Sequence, residues 1–562
     1  MAEGALDDVV VVELANGVAG PYAAKLLADL GAQVVKVEPP AGDPLRREPP
    51  FHGGESAFFN WMNGNKYGVQ FDSGDPILRA LVGKADIVIH DLQGQQAAAF
   101  DSMARKTNTR AVVLSLTPYG RSGTRAHWKA SALTGYATGG YHYFAGDPAR
   151  EPLALPGYQA EFHAGVHGAI AALAGLWHAR ESGEGQLVEI SHQEATLSDH
   201  AWLTTSWTHQ GKVQSRTGSL FAKCADGYIY LFNLVPYPNL FVLMERFDLL
   251  EDEDLQLPLN WMARFGEVYA VFSEWAATRT KQEIYHACQE LRIAASPVNT
   301  MEDIATNQQL LARDLFESVR AGDASFQAPG FPYRLTETPA ANRMPAPALG
   351  EHNTTVIAPR FAWANAGVQW PHRHEVDTGA IQRTHGPLEG LRLIEMTANW
   401  AGPIAGRHLA DLGADVIKIE LATKPATRAL VWVPDELWPR HFNRSGYFNK
   451  LNRNKRAICL DVSRPEGREV LLAHRLLAHV LLAEDDELAG LVQDVREHGP
   501  PGIAEVPLTV PSGLVLELRH GDRVAEPAGR RRGRRGRSRL VLLLVLLPGL
   551  DRGARTKDED RR

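Results

Sequence analysis

Glu161 is a candidate functional residue by its type and its place. It lies in Pro156-Gly157-Tyr158-Gln159-Ala160-Glu161-Phe162-His163-Ala164-Gly165, just ahead of a long alanine-rich run. A carboxylate just ahead of a helix is a candidate for contact with a ligand. The start of a helix also favours its anionic form. Ala164, Gly165 and Gly168 are small, which predicts open first turns with room for a ligand. The alternative is a helix-terminal carboxylate that serves stability only. His163 and His167, four apart on one helical face, could join Glu161 as metal ligands. No HExxH pattern or cysteine pair accompanies them, so no metal is expected. A second candidate is the turn Asn16-Gly17-Val18-Ala19-Gly20-Pro21. It joins a strand to a helix, where α/β folds receive ligands. It lacks the G-x-G-x-x-G spacing of a dinucleotide site. Its glycines either let a ligand approach the backbone or simply make a tight turn.

The elements around these residues have an alternating pattern. Val9–Leu14 is apolar except for Glu13, which suits a strand buried on both faces. Ala23, Leu26, Leu27 and Leu30 share one helical face, and Gly31 stops that helix. Further strands are predicted at 33–38, 85–90, 111–116 and 186–191, with a long helix over 162–180. Strands alternating with helices predict an α/β fold with a Rossmann-like parallel sheet. Residues from about 226 to 317 predict a smaller α+β subdomain, with a strand at 228–233 and helices near 261–278 and 281–290. A proline-rich connector follows at 329–345.

With 562 residues, two or more domains are expected. A hydrophobic content of 44% with 22% charged residues is that of a soluble globular protein. A net charge of −7 gives no reason to expect a nucleic-acid partner. Cys224, Cys288 and Cys459 are too scattered for a disulfide framework or a metal knuckle. The acidic N-terminus does not resemble a signal peptide, and the apolar run Leu540–Leu547 is too short to span a bilayer. No membrane partner is expected, and a cytoplasmic location is.

The chain also repeats itself. Val12–Glu38 and Ile394–Glu420 align without a gap and are identical at fourteen of 27 positions. Phe58–Asp72 recurs at Phe448-Asn449, Asn454-Lys455 and Asp461. The spacing is too long for a solenoid and indicates a duplicated domain. The expected organisation is a complete copy over 1–355, a linker over 356–386, a partial second copy over 387–482, and an aberrant tail over 483–562. That tail holds seven arginines in Arg530–Arg539, then LVLLLVLL. It reads either as translation out of frame or as a genuine basic tail for an acidic partner.

Taken in order, these motifs resemble the family III CoA-transferases, the formyl-CoA and carnitine CoA-transferase group. The resemblance runs through VVELANGVAGPYAAKLLADLGAQVVKVEPPAGD, Asn65-Lys66…Asp72, LSLTPYGRSG (Leu114–Gly123) and Ala160–Gly165. It continues through HARESGEGQLVEISHQEA (His178–Ala195), Asp226-Gly227-Tyr228-Ile229 and PALGEHN (Pro347–Asn353), and again over 387 to about 480. It implies an interlocked-dimer CoA-transferase fold, with coenzyme A as a substrate and no permanently bound cofactor. It places Asn16, Gly17, Val18, Ala19, Lys66, Asp91 and Leu92 at the CoA and makes Glu161 the nucleophile, through an anhydride and then a thioester. The family's alanine-aspartate pair reads Ala160-Glu161 here. Pro39 stands where an arginine is usual, and Ser131-Ala132 stands where related racemases carry histidine-aspartate. The second copy's equivalent of Glu161 would fall near residue 550, where the motif is lacking. The implied partners are an acyl-CoA, a carboxylic acid, and a second copy of the chain or a homologous subunit. A non-catalytic CoA-binding homologue that supports an active subunit is the alternative.

Overall fold

Val10–Glu13 (β1) is buried at every position, flanked on both sides by strands that also bury both faces. This is the environment a continuous apolar run requires. In the computed structural model of the chain, six parallel strands form the main sheet in the order Lys66–Gln70 (β3), Gln33–Glu38 (β2), β1, Ile87–His90 (β4), Val112–Thr117 (β5) and Leu187–Ser191 (β6). The structure describes residues 4–71, 74–200, 203–211, 213, 216, 221–232, 237–367, 386–421, 445–471, 508–509 and 515–516. The order reverses between β1 and β4, so the crevice beyond their C-terminal ends is where this topology receives a ligand.

The strands at 33–38, 87–90, 112–117 and 187–191 meet the expectation to within two residues. Lys66–Gln70 was not anticipated, because its lysine, glycine and glutamine give no apolar run. Helix Ala19–Asp29 (α1) begins two residues before Pro21, whose missing N–H is harmless within the first turn. The long helix, Gln159–Ser182 (α2), starts three residues earlier than expected and ends at Gly183, φ 75°. Glu161 therefore sits within its first turn rather than ahead of it.

The expectation that Ala164, Gly165 and Gly168 leave room for a ligand is corrected. A Cβ on Gly165 would lie 2.7 Å from the Ala19 carbonyl oxygen, and one on Gly168 would lie 3.1 Å from Leu116. Ala164 is buried in the core with α1 and the sheet. These small residues bring α2 close to α1 and β5; their space is filled by protein.

Outside the main sheet, Phe221–Cys224, Gly227–Leu231 and Ala295–Pro297 form an antiparallel sheet around their own core, with Trp261 and Phe272 fully buried. Phe316–Ala321 and Ala324–Pro329 form a hairpin. The following connector returns to the first half: Asn65 receives hydrogen bonds from the Arg343 and Met344 amides at 2.6 and 3.0 Å. Residues 356–367, expected as linker, pack against the sheet through Val356, Phe361 and Trp363. The rest of that stretch, 368–385, lies outside the described residues.

A second parallel sheet pairs Arg392–Glu395 (β7), Asp415–Glu420 (β8) and Arg456–Cys459 (β9) in that order, with helices Ala401–Asp411 (α4) and Gly446–Leu451 (α5). Residues 1–483 form one unit and residues 484–562 another. The described part of the latter is an antiparallel pair, Leu508–Thr509 with Val515–Leu516. The arginine block and LVLLLVLL lie outside the described residues. Among those described, no helix is long and apolar enough to cross a membrane.

Candidate active site

The Asn16–Pro21 turn is built on a buried charge network that its apolar strands conceal. Glu13, Lys36, Asp43 and Lys66 are all fully buried. Glu13 lies 2.9 Å from Lys36 and 2.8 Å from Lys66, and Lys36 lies 2.8 Å from Asp43. Two cations and two anions cancel, which is how charges survive in an apolar interior. Lys66 also donates to the carbonyl of Pro21 and to Asn63, both at 2.9 Å. Asp43 accepts from the Gly17 and Leu45 amides at 3.3 and 2.9 Å. Burial alone would lower Lys36, but Glu13 and Asp43 outweigh it and raise its pKa. Lys66, buried beside Lys36 and answered mainly by Glu13, is pulled down to about 8.

The network fixes the turn from beneath and Asp91 fixes it from the side, accepting from the Asn16 amide at 3.1 Å. Burial raises the pKa of Asp91, with the Asn16 amide opposing. Gly17 adopts φ 72°, with open space where a side chain would be, and a Cβ on Gly20 would meet that of Ala15 at 2.1 Å. One glycine thus leaves the turn open, and the other lets it pack onto the end of β1.

Above the turn lies a cavity of about 310 Å³. Asn16, Gly17, Val18, Ala19, Asp91 and Glu161 all line it. Sequence reasoning placed these six in one site, and the fold brings them together from three separate segments. Lys66 and Leu92 are not among the lining residues. Lys66 supports the turn from below, and Leu92 packs on the core with its amide 3.3 Å from His90 Nδ1. Tyr158, His192, Glu48 and Pro118 also face the cavity and were missed. Tyr158, Glu48 and Pro118 lie outside any regular strand or helix, and His192 follows directly on β6, so no periodic pattern marks them. Glu13 and Lys36 did carry a signal: a charge inside an apolar strand, repeated in both copies as Glu395 and Lys418.

Glu161 Oε2 is buried and has no hydrogen-bond partner among the described residues. Burial raises its pKa, against the stabilising effect of its own backbone amide. A carboxylate oxygen without a hydrogen-bond partner is a better nucleophile than a solvated one, provided the group is ionised. His192, half-buried, is held near pKa 4 by desolvation, so it is neutral at physiological pH. His163 and His167 turn away from Glu161 to Asp199, at 2.9 and 3.2 Å. His167, Asp199 and His408 bring their polar atoms within 4.8 Å of one another. The cation at that place is Arg407, 3.2 Å from His408 and 4.0 Å from Asp199.

The repeat in sequence is a repeat of this scaffold. Glu395 lies 2.8 Å from Lys418 and 2.7 Å from Lys455. Lys455 donates to the Pro403 carbonyl at 2.7 Å and to Asn452 at 3.1 Å, as Lys66 does to Pro21 and Asn63. The family model described as CoA-transferase family III matches residues 6–353 and again 388–480, most of the chain. The chain belongs to CoA-transferase family III. As a member of this family it is an enzyme that moves CoA between carboxylic acids, and CoA is its substrate. It is 29% identical over 380 residues to the succinyl-CoA:(R)-benzylsuccinate CoA-transferase subunit BbsE of Thauera aromatica, covering 61% of this chain and 91% of that protein. It is also 29% identical over 476 residues to the protein named "Probable CoA-transferase Rv1866" of Mycobacterium tuberculosis, covering 79% of this chain and 56% of that one. The crystal structure of a CAIB/BAIF family protein from Brucella suis shares the fold, with a TM-score of 0.56 at 24% identity over 63% of this chain and 98% of that one.

Proposed function

We propose that this CoA-transferase works by covalent catalysis at Glu161, with CoA held on the Asn16–Ala19 turn and beside Asp91. The reading rests on one observation: the buried, unpartnered Oε2 of Glu161 shares a cavity with that turn. Glu161 attacks the carbonyl carbon of an acyl-CoA, the C–S bond breaks, and CoA leaves as thiolate. The thiolate then attacks the glutamyl carbonyl of the mixed anhydride and releases the donor acid. The acceptor carboxylate attacks the resulting glutamyl thioester, expelling the thiolate once more. Attack of that thiolate on the acceptor's acyl carbon yields the new thioester and restores Glu161. No net proton is taken up. The anhydride must be kept from water, which suits a buried Oε2 in a cavity lined also by Leu116, Pro118 and Tyr158. Lys66, expected at the CoA, acts by holding the turn.

The name of the Thauera relative makes succinyl-CoA the first donor to test, and its designation as a subunit suggests a homologous partner for this chain. Self-association as an interlocked dimer is the other arrangement. Residues 1–355 act as the complete copy, and 387–482 as an N-terminal half.

Incubation with succinyl-CoA, trapping with hydroxylamine and peptide mapping test the mechanism. A hydroxamate at Glu161 is expected. No label there across a panel of acyl-CoA donors would exclude covalent catalysis and leave the alternative of a CoA-binding homologue without turnover.

A further inference from the structure

The repeat leaves one pair of equivalent residues doing different work. Lys25 of the first copy pairs with Asp29 on its own helix at 2.9 Å. Its counterpart Arg407 lies 3.8 Å from Asp411 and reaches instead across to the first copy. Arg407 is fully buried there and donates to the Ser198 carbonyl at 3.0 Å and to the Ser198 hydroxyl at 3.1 Å. Lys450, from α5, donates to the Leu197 carbonyl at 3.1 Å. Both carbonyls belong to the last turn of helix His192–Ser198 (α3), where a helix has acceptors it cannot satisfy itself. Two cations at a helix C-terminus also complement its dipole. The guanidinium fork meets two acceptors of one residue, an arrangement for which its rigid plane is pre-organised and a flexible lysine ammonium is not.

The far end of α3 reaches the cavity. His192, its first residue, lines the space that Glu161 faces, and the Gln193 amide donates to Pro118, another lining residue, at 3.2 Å. Asp199, directly after α3, ties it to α2 through His163 and His167, two and six residues beyond Glu161. A rigid seven-residue helix thus has its tail gripped by the second copy and its head in the first copy's site.

We propose that the second copy is a buttress for the first copy's site, with Arg407 and Lys450 as positioning residues that hold α3, and through it His192, against the cavity of Glu161. The inference rests on reading that cavity as the transfer site, but its structural arm can be tested without turnover.

The test compares R407A, R407K and K450A in the full chain, by hydrogen exchange, His192 NMR titration and steady-state kinetics. In R407A, exchange at residues 194–199 should quicken about tenfold or more while β1 and β4 stay protected. The His192 titration should move up from about 4 toward its ordinary value as water reaches the ring. With succinyl-CoA, kcat should fall about tenfold and KM change less, as expected of a displaced group near the reacting atoms. R407K should recover part of each change, and K450A should show a milder version of all of them. If R407A does not accumulate folded, K450A carries the test. Unchanged exchange at 194–199 and an unchanged His192 titration, with α4 alone losing protection, would overturn the proposal. A parent protein without transfer activity would sink the functional reading alone, since exchange and titration still decide the buttress.

Discussion

Glu161 combines two opposing influences: the helix start stabilises its anion, and burial raises its pKa. The balance lies with burial, so the acid limb of the transfer reaction should lie above the ordinary glutamate range. A pH–rate profile of kcat checks it, and activity should rise with pH through that limb because the proposed nucleophile must be ionised. Removing the carboxylate with E161Q should cost about a thousandfold or more in kcat, read as loss of both turnover and the hydroxamate. E161D withdraws the proposed nucleophile by about 1.5 Å and should cost about a hundredfold. The residue type was readable in the sequence. That Oε2 has no partner among the described residues, and that His163 and His167 turn to Asp199, depends on how α2 and α3 meet.

Among the elements, the β1 turn depends on charges placed inside two apolar strands. K36M would leave Glu13 with Lys66 alone and Asp43 without its cation. Breaking a buried pair in this way costs about 3–5 kcal/mol, measurable as a lower urea midpoint with an unchanged m-value. G165A should destabilise by about 1–3 kcal/mol, because its Cβ would press on the backbone oxygen of Ala19 rather than on a side chain that can yield. Thermal unfolding with and without CoA would show both effects. Sequence pattern located the long helix and all but one strand of the main sheet, since their apolar runs match the period of the element they form. It missed Lys66–Gln70, where a buried lysine and a glycine break the pattern for reasons found only in the neighbouring strand. It also misread Gly165 and Gly168, because a small residue looks the same whether its space holds a ligand or a helix.

At the scale of the whole chain, Asp86 links the main sheet to the segment beyond the first copy. Its carboxylate accepts from the Val10 amide at 2.8 Å and from Asn365 at 3.1 Å. Burial raises its pKa to about 6, against those two hydrogen bonds. The folded protein therefore holds this proton more tightly than the unfolded chain. The stabilisation is fully present below about pH 4 and is lost as pH rises through 6, on the order of 2–3 kcal/mol for a shift of that size. D86N, whose amide oxygen can accept both hydrogen bonds, should remove this component. Its stability relative to the parent should grow between pH 4 and 6 in denaturant titrations.

The sequence by itself determined the α/β class, the duplication, the family, and the placing of Asn16–Ala19, Asp91 and Glu161 in one site. All of these rest on local pattern or on motif order, which survive in one dimension. Tertiary structure decided that Lys66 supports the turn rather than facing the cavity, that residues 356–367 pack on the sheet, and that Arg407 reaches Ser198. Such choices depend on which groups meet across hundreds of residues, where burial and charge pairing are set by the fold and leave no periodic trace in the chain.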